Sequence, residues 1–362
     1  MKIRNQRHFS QNNFSFFLCP LAGPLRYSGF GALSKYFPPV SQSDLKNPQR
    51  LKTTVMRAAK PKKFVDAVVV GNVGIDTNIY HPERDIDFEV EANFTENLDC
   101  VGQAGGYSCR GFARLGLSTA FIGFVGDDFM GRFILEEFAR DSIDTRAVFI
   151  DPAGTSRSVN FMNQDGRRKN FYDGKSHMTL QPDLTVCTEV LHRCRLVHFN
   201  LPNWARSLLS SAKASGAVVS VDLQDMTAID DPYRQDFMDT ADILFFSAIN
   251  FPDPVPTLEY LLAKRPNQII IAGMGERGCA LGTKDGIRLF DAIPTGPPVV
   301  DTNGAGDALA VGFLASYVLD DYNFSDAVRR GHIAAKHACT QKADSSKLIT
   351  RAELAVRFEQ TV

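Results

Sequence analysis

The sequence is short of almost everything that marks a specialised class. No run approaches the roughly 18 uninterrupted apolar residues of a membrane-spanning helix, so a chain threaded through a bilayer by helices is excluded. There is no CxxC pair, and the seven cysteines (Cys19, Cys100, Cys109, Cys187, Cys194, Cys279, Cys339) are an odd number. A disulfide scaffold is excluded and free thiols in a reducing compartment are expected. Cys187 and Cys194 flank His192 but lack the second half-site that zinc needs. Net charge is nearly absent: 40 Lys+Arg against 41 Asp+Glu leave a formal −1, which argues against nucleic acid and anionic membranes as partners. No GxxxxGK[ST] loop and no HExxH helix occur, which sets aside P-loop kinases and zincin-type hydrolases.

Acidic residues are scarce in one place in particular. Residues 1–60 hold ten Lys/Arg and one acid, Asp44, leaving 30 basic and 40 acidic side chains in the remainder. With scattered Ser and a broken apolar patch at Phe16-Phe17-Leu18, this stretch has the composition of an organelle transit peptide, with Val55–Ala59 suited to processing. A chain that begins at Met56 accounts for it equally. An intracellular protein is expected either way, in a plastid or other organelle if the leader is real.

What is present, across 362 residues of which 44% are hydrophobic, is an alternation of short β-branched runs with amphipathic stretches, the pattern of βαβ units around a largely parallel sheet. Phe64–Val70 is apolar almost throughout, as a strand buried on both faces should be. Further strands are expected at Thr119–Phe124, Leu196–Phe199, Ala217–Val221, Ile243–Phe246 and Ile269–Ala272. Helices are expected at Phe129–Arg140, Trp204–Ala214, Leu258–Lys264, Gly306–Leu319 and Ser325–Cys339. Ligands of open α/β sheets gather at the carboxyl ends of strands, which makes Asp76 and Asn78 candidates. Two stretches, 79–99 and 157–175, break the rhythm with strand-like alternation and an Asp165-Gly166 hairpin signal. They are expected to form a small antiparallel lid, with Arg168 on its hairpin as a candidate for the substrate or a departing phosphate.

The segment Val299–Phe313 carries the chemistry. Asp301-Thr302-Asn303-Gly304-Ala305-Gly306-Asp307 runs from a strand-like stretch through a small-residue turn into an apolar helix. Backbone N–H groups of Gly304, Ala305 and Gly306 can converge at a helix amino end, where the partial positive charge favours an anion. Asp307, in the first turn, is placed to take a proton from a hydroxyl brought to that anion hole.

This string resembles the carboxy-terminal signature D-T-x-G-A-G-D of the ribokinase-like, or PfkB, carbohydrate kinases, and the likeness extends along most of residues 64–345. Phe121–Asp128 with Gly131, Ile143-Asp144-Thr145 and Gly275-Glu276-Arg277-Gly278 are similar to further family segments in the family's order. The resemblance implies a three-layer α/β/α sandwich with a mostly parallel central sheet and a small β-sheet lid. It divides the chain into a leader (1–60), a kinase domain (61–345) and a helical tail (346–362). It also implies transfer of the γ-phosphoryl group of ATP, with Mg²⁺, to a hydroxyl of a sugar or polyol, with Asp307 as general base and Gly304–Gly306 as anion hole. Asp76, Asn78, Gly105, Gly106, Tyr107 and Arg168 are then expected on the acceptor, and Ser247, Asn250, Gly275, Gly278, Asn303 and His332 near the nucleotide. No residue is assigned as a direct metal ligand, and a homodimer through the lid is the expected assembly.

The sequence departs from the family's pattern twice. Where the amino-terminal signature has paired glycines and an Asn, Gly102-Gln103-Ala104-Gly105-Gly106-Tyr107 stands. Counting back without a gap from Arg114-Leu115-Gly116 puts Gln103 on the second glycine and Tyr107 on the Asn, whereas matching Gly105-Gly106 puts Arg110 on the Asn. Where the family has N-x-x-E, Ser247 and Asn250 stand, a loss of charge that bears on Mg²⁺. A nucleoside kinase of the same fold, or a low-activity scaffold of the kind known among plastid members, is the alternative.

Overall fold

The computed structural model describes residues 65–83, 86–87, 89–163, 168–294 and 296–360. The expected leader, its processing segment and the hairpin tip at Asp165-Gly166 lie outside them. The chain enters as β1 (Val65–Val70), β2 (Gly74–Tyr80), β3 (Glu96–Gly102), α1 (Gln103–Arg114), β4 (Thr119–Gly126), α2 (Phe129–Arg140) and β5 (Asp144–Asp151). It continues through β6 (Ser156–Met162), β7 (Arg168–Asp173), α3 (Leu184–Leu191), β8 (Cys194–Phe199), α4 (Leu209–Ala214), β9 (Val218–Asp225), α5 (Gln235–Thr240) and β10 (Ile243–Ser247). It closes with α6 (Val255–Lys264), β11 (Ile269–Gly273), β12 (Cys279–Thr283), β13 (Gly286–Phe290), α7 (Ala305–Leu314), α8 (Phe324–Cys339) and α9 (Arg351–Glu359).

Nine strands form the central sheet in the order β13-β12-β11-β10-β9-β8-β1-β4-β5. Pairing is parallel from β5 to β11 and antiparallel at the β11-β12-β13 edge. Alternation along β1 divides the interior. Ala67 and Val69 face a core with Phe112, Phe138, Phe313, Ile333 and Leu354, and Val68 and Val70 face another with Val190, Leu209, Phe237 and Leu258. Helices α1, α2, α7, α8 and α9 thus cover one face and α3 to α6 the other, giving three layers. With β4 on one side of β1 and β8 on the other, the strand order reverses at β1, which places a crevice at its carboxyl end.

The second sheet, β3-β2-β6-β7, springs from that point. It corrects the expected lid in two ways. It starts at Gly74, directly after β1, and it is mixed, because β2 and β6 run parallel while the β2–β3 and β6–β7 pairs are antiparallel. The hairpin signal is flanked by the antiparallel pair, but the long connection through α1 to β5 lets β6 return beside β2 in the same direction. The expected helical tail contains α9. On α9, Leu354 is buried and Arg351 Nε donates to Leu115 O at 2.8 Å. The last expected helix turn, Ala315–Leu319, is π-helical. None of the six cysteines within the described residues is in a disulfide, and among those residues no helix is long and apolar enough to cross a membrane.

Arg110 locks α1 in place. Its guanidinium is buried and donates to Asp141 Oδ2 at 2.6 Å, Glu137 Oε2 at 2.9 Å and Ser345 Oγ at 3.1 Å. It thereby joins α1 to the end of α2 and to the segment after α8. Removing a cation from such a cluster leaves carboxylates without their partner, so Arg110→Met is expected to cost about 3 kcal/mol, read as a lowered urea midpoint at neutral pH. An unchanged midpoint would show that the carboxylates are satisfied by water instead.

Candidate active site

The turn into α7 is built around Gly304, which sits at φ +74° as the helix N-cap. A side chain there would meet left-handed strain and, in addition, a Cβ would stand 2.7 Å from the Tyr107 ring. Small residues bring the first turn of α7 close against α1. Ala305 N–H leans on Thr302 O at 3.3 Å, and among the described residues the N–H groups of Gly304 and Gly306 have no acceptor. Asp307 stands in the first helical turn, with Ser108 Oγ donating to its Oδ1 at 3.4 Å.

The lid faces this turn with its polar side. Along β2 the alternation puts Asp76 and Asn78 inward and buried, while Thr77 and Ile79 face out. Asn78 Oδ1 accepts from Asn160 Nδ2 at 3.0 Å and Asn160 Oδ1 from Asn170 Nδ2 at 2.8 Å, a row of amides across β2, β6 and β7. Asp76 accepts from Gln103 N–H at 3.3 Å. Gly102 must be glycine because a Cβ there would reach 2.2 Å from the Asp76 carboxyl carbon.

Asn303 joins the two halves. Its Nδ2 points at Asp76 Oδ2 (3.2 Å), Tyr107 Oη (3.3 Å) and Asn78 Oδ1 (3.4 Å), and its Oδ1 accepts from Arg168 Nη1 at 2.5 Å. The side chain of Asn303, expected near the nucleotide, lies among Asp76, Asn78, Tyr107 and Arg168, because the main chain turns at Gly304 and leaves the preceding side chain facing the lid. The structure therefore unites Asp76, Asn78, Tyr107, Arg168, Asn303 and the Gly304–Asp307 turn.

Of the two residues that the alternative registers put on the signature Asn, Tyr107 faces the cluster, whereas Arg110 turns to Glu137 and Asp141. Gly105 and Gly106 do not join it. A Cβ on Gly105 would stand 2.3 Å from Asn72 O, and Gly106 abuts Val73 and Val101. Gly105 is needed for close packing of α1 beneath the β1–β2 junction, and neither glycine makes a hydrogen bond to the Asn303 cluster. His198 is fully buried between the rings of Phe112 and Phe245, and burial pushes its pKa down to about 4, which marks it as a core residue.

The residues assigned to the nucleotide lie at a second locality. Ser247 ends β10 opposite Asp225 of β9 and Gly273 of β11. Asn250 is exposed, and its Nδ2 donates to Met226 O at 3.1 Å. Gly275 and Gly278, at φ +62° and +93°, turn the chain between β11 and β12. His332 is buried on α8, its pKa lowered by that burial and its Nε2 without a partner. Among the described residues no hydrogen bond links these five side chains to the Asn303 cluster.

Three carboxylates dominate the electrostatics. Burial raises Asp76 to about 6, against hydrogen bonds from Asn303 and Gln103 N–H that lower it. Burial also raises Asp222, near the end of β9, to about 6. Asp307 rises furthest, to about 8, through burial and then the charges of Asp222 and Asp76. Sequence reasoning missed Asp222 and also Asn200, whose amide is buried just after β8 with neither polar atom partnered. A polar residue closing an apolar strand, the signal that singled out Asp76, was available for both.

A family model described as pfkB family carbohydrate kinase matches residues 66–351. An acarbose 7(IV)-phosphotransferase from Actinoplanes sp. is 28% identical over 296 residues, covering 81% of this chain and 98% of that protein. Among solved structures, a microbiome-derived acarbose kinase aligns with a TM-score of 0.73 at 28% identity, covering 82% of this chain and 99% of that one. An Arabidopsis thaliana ribokinase complexed with ribose and ATP aligns at a TM-score of 0.69 and 19% identity, covering 82% and 99%, and shows the shared ribokinase fold.

A carboxyl whose pKa is higher folded than unfolded stabilises the protein when protonated, and that contribution is lost as pH rises through the folded value. For Asp307 the window runs from the ordinary 3.8 to about 8. Asp307→Asn is therefore expected to be more stable than the parent above pH 8, by roughly 1–3 kcal/mol, with little difference near pH 4. Calorimetric melting across that range checks it; parallel curves would show that Asp307 is solvated.

Proposed function

We infer the reaction from one premise: the chain belongs to the pfkB family of carbohydrate kinases, whose model covers most of it. It is thus a phosphotransferase that acts on a sugar hydroxyl, with ATP as the donor. The finer reading is that Asp307 is the general base. The observation that carries it is a carboxyl in the first turn of α7, raised to about 8, on the same turn as the open Gly304 and Gly306 N–H groups and within the charge field of Asp76. A base poised near working pH combines adequate ionisation with proton affinity. The first-turn amides and helix dipole would stabilise charge on the transferring group.

Acceptor hydroxyls would be read by Asp76, Asn78, Asn303 and Arg168, exchanging the bonds these groups now make with one another. Asn200 offers both a donor and an acceptor at the neighbouring strand end and is assigned to the same subsite. The nucleotide is assigned to the ends of β10 and β11, at Ser247, Asn250, Gly275 and Gly278, with His332 behind. Asp222 and Asp225 of β9, paired with the end of β10, would offer carboxylate oxygens to a divalent cation shared with phosphate, in place of the one charged position of N-x-x-E that is lost. Mg²⁺ bound there with the nucleotide would offset phosphate charge.

The test is ADP release from ATP·Mg²⁺ against pentoses, hexoses, polyols, nucleosides and acarbose, the last because two relatives carry its name. Turnover of a sugar or polyol that falls about a thousandfold in Asp307→Asn, with KM little changed, is the expected result. Turnover restricted to nucleosides would move the acceptor class. No turnover by folded, ATP-binding protein would favour the scaffold.

A further inference from the structure

Gln103 is the sharpest departure from the paired-glycine pattern, and nothing in the reaction above uses its side chain. We propose that Gln103 is a positioning residue that ties the foot of the lid to the amino end of α1 and so sets how firmly Asp76 is presented to the acceptor. The proposal rests on the reading of Asp76 as an acceptor ligand.

Gln103 opens α1 at φ +60°, in the left-handed region that favours glycine. In that conformation its N–H donates to Asp76 Oδ1 at 3.3 Å. Glycine would make the same main-chain bond with less strain, so what the glutamine adds is its amide. Oε1 accepts from Ser156 Oγ at 3.2 Å, a hydroxyl that also points at Val73 O at 2.9 Å. Nε2 is buried without a partner and lies over Gly74, where an added Cβ would meet it at 2.3 Å.

Gly74 and Ser156 are the paired first residues of β2 and β6. The amide therefore sits where both central lid strands leave the body of the molecule. A strained backbone and an unpaired buried donor each persist only where the surroundings hold them, and here both fall on one residue bonded to Asp76. Rotation of the lid about its foot would move Ser156 and Gly74 against α1. That motion must break the Gln103–Ser156 bond and disturb the N–H held on Asp76. Lid position and acceptor binding are thereby coupled through one side chain, while proton removal at Asp307 is left alone.

Hydrogen exchange on the full chain without ligand tests the tie, comparing the parent with Gln103→Gly and Ser156→Ala over residues 74–80 and 156–162. Loss of one buried hydrogen bond is expected to speed exchange there about tenfold in both variants, with β4 as an unchanged internal control. KM for whichever panel sugar is turned over should rise by a similar factor with kcat nearly constant. Unchanged lid exchange in both variants, or a fall in kcat at constant KM, would overturn the proposal. Should Gln103→Gly fail to fold, Gln103→Ala takes its place, because Ser156→Ala also removes the hydroxyl from Val73 O and cannot decide alone. Failure of the parent to phosphorylate any panel sugar would count against the acceptor reading, and lid exchange would still report on the tie.

Discussion

Asp76, Asp222 and Asp307 are held out of water on three separate elements, and Asp307 lies within the field of the other two. A carboxylate in such a place must be protonated, hydrogen-bonded or faced by a cation. Asp76 is partly satisfied by Asn303 and the Gln103 N–H, and its neighbour Arg168 supplies positive charge. Asp307 has only the Ser108 hydroxyl, its own N–H and the amino end of α7, and it remains the group most willing to hold a proton. Asp307 stands above the other two because burial and the charges of both Asp222 and Asp76 act on it together. The division of labour proposed here, ligand at Asp76 and base at Asp307, is the chemical expression of that order.

How much of this was legible depends on whether a feature is local. The Asp301–Asp307 string could be read because the turn, the helix start and the acid are contiguous, and the geometry of a helix amino end does not depend on distant partners. The layers could be read because strands such as Val65–Val70 are apolar on both faces. The direction of β6 beside β2 could not, since it is decided by a connection of some 75 residues and not by the alternation within either strand. Asn303 illustrates a subtler limit: its place in the string was clear, but which way its side chain leaves the turn is set by the φ of Gly304. Asp222 and Asn200 carry the same strand-end signal as Asp76 and become conspicuous only when β8 and β9 are seen flanking the same crevice. The β12–β13 hairpin was open to discovery, as Asp285-Gly286 separates two short apolar runs.

The altered positions gain meaning from their neighbours. Asn250 stands where the family pattern has a carboxylate, yet Asp225 lies one strand over, in register with Ser247. On the gap-free register Tyr107 stands where the pattern has an Asn, and its hydroxyl lies within reach of the Asn303 amide. In both cases a polar atom is supplied from an adjoining element, so a motif scored position by position exaggerates the difference.

The amide row Asn78–Asn160–Asn170 and the Gly304–Asp307 turn come from different parts of the chain and meet through Asn303. That arrangement makes the molecule evolvable by parts. On the proposed reading, substitutions on the inward face of the lid would retune the choice of sugar while the turn into α7 stays untouched, as if one engine were offered a succession of interchangeable tool heads.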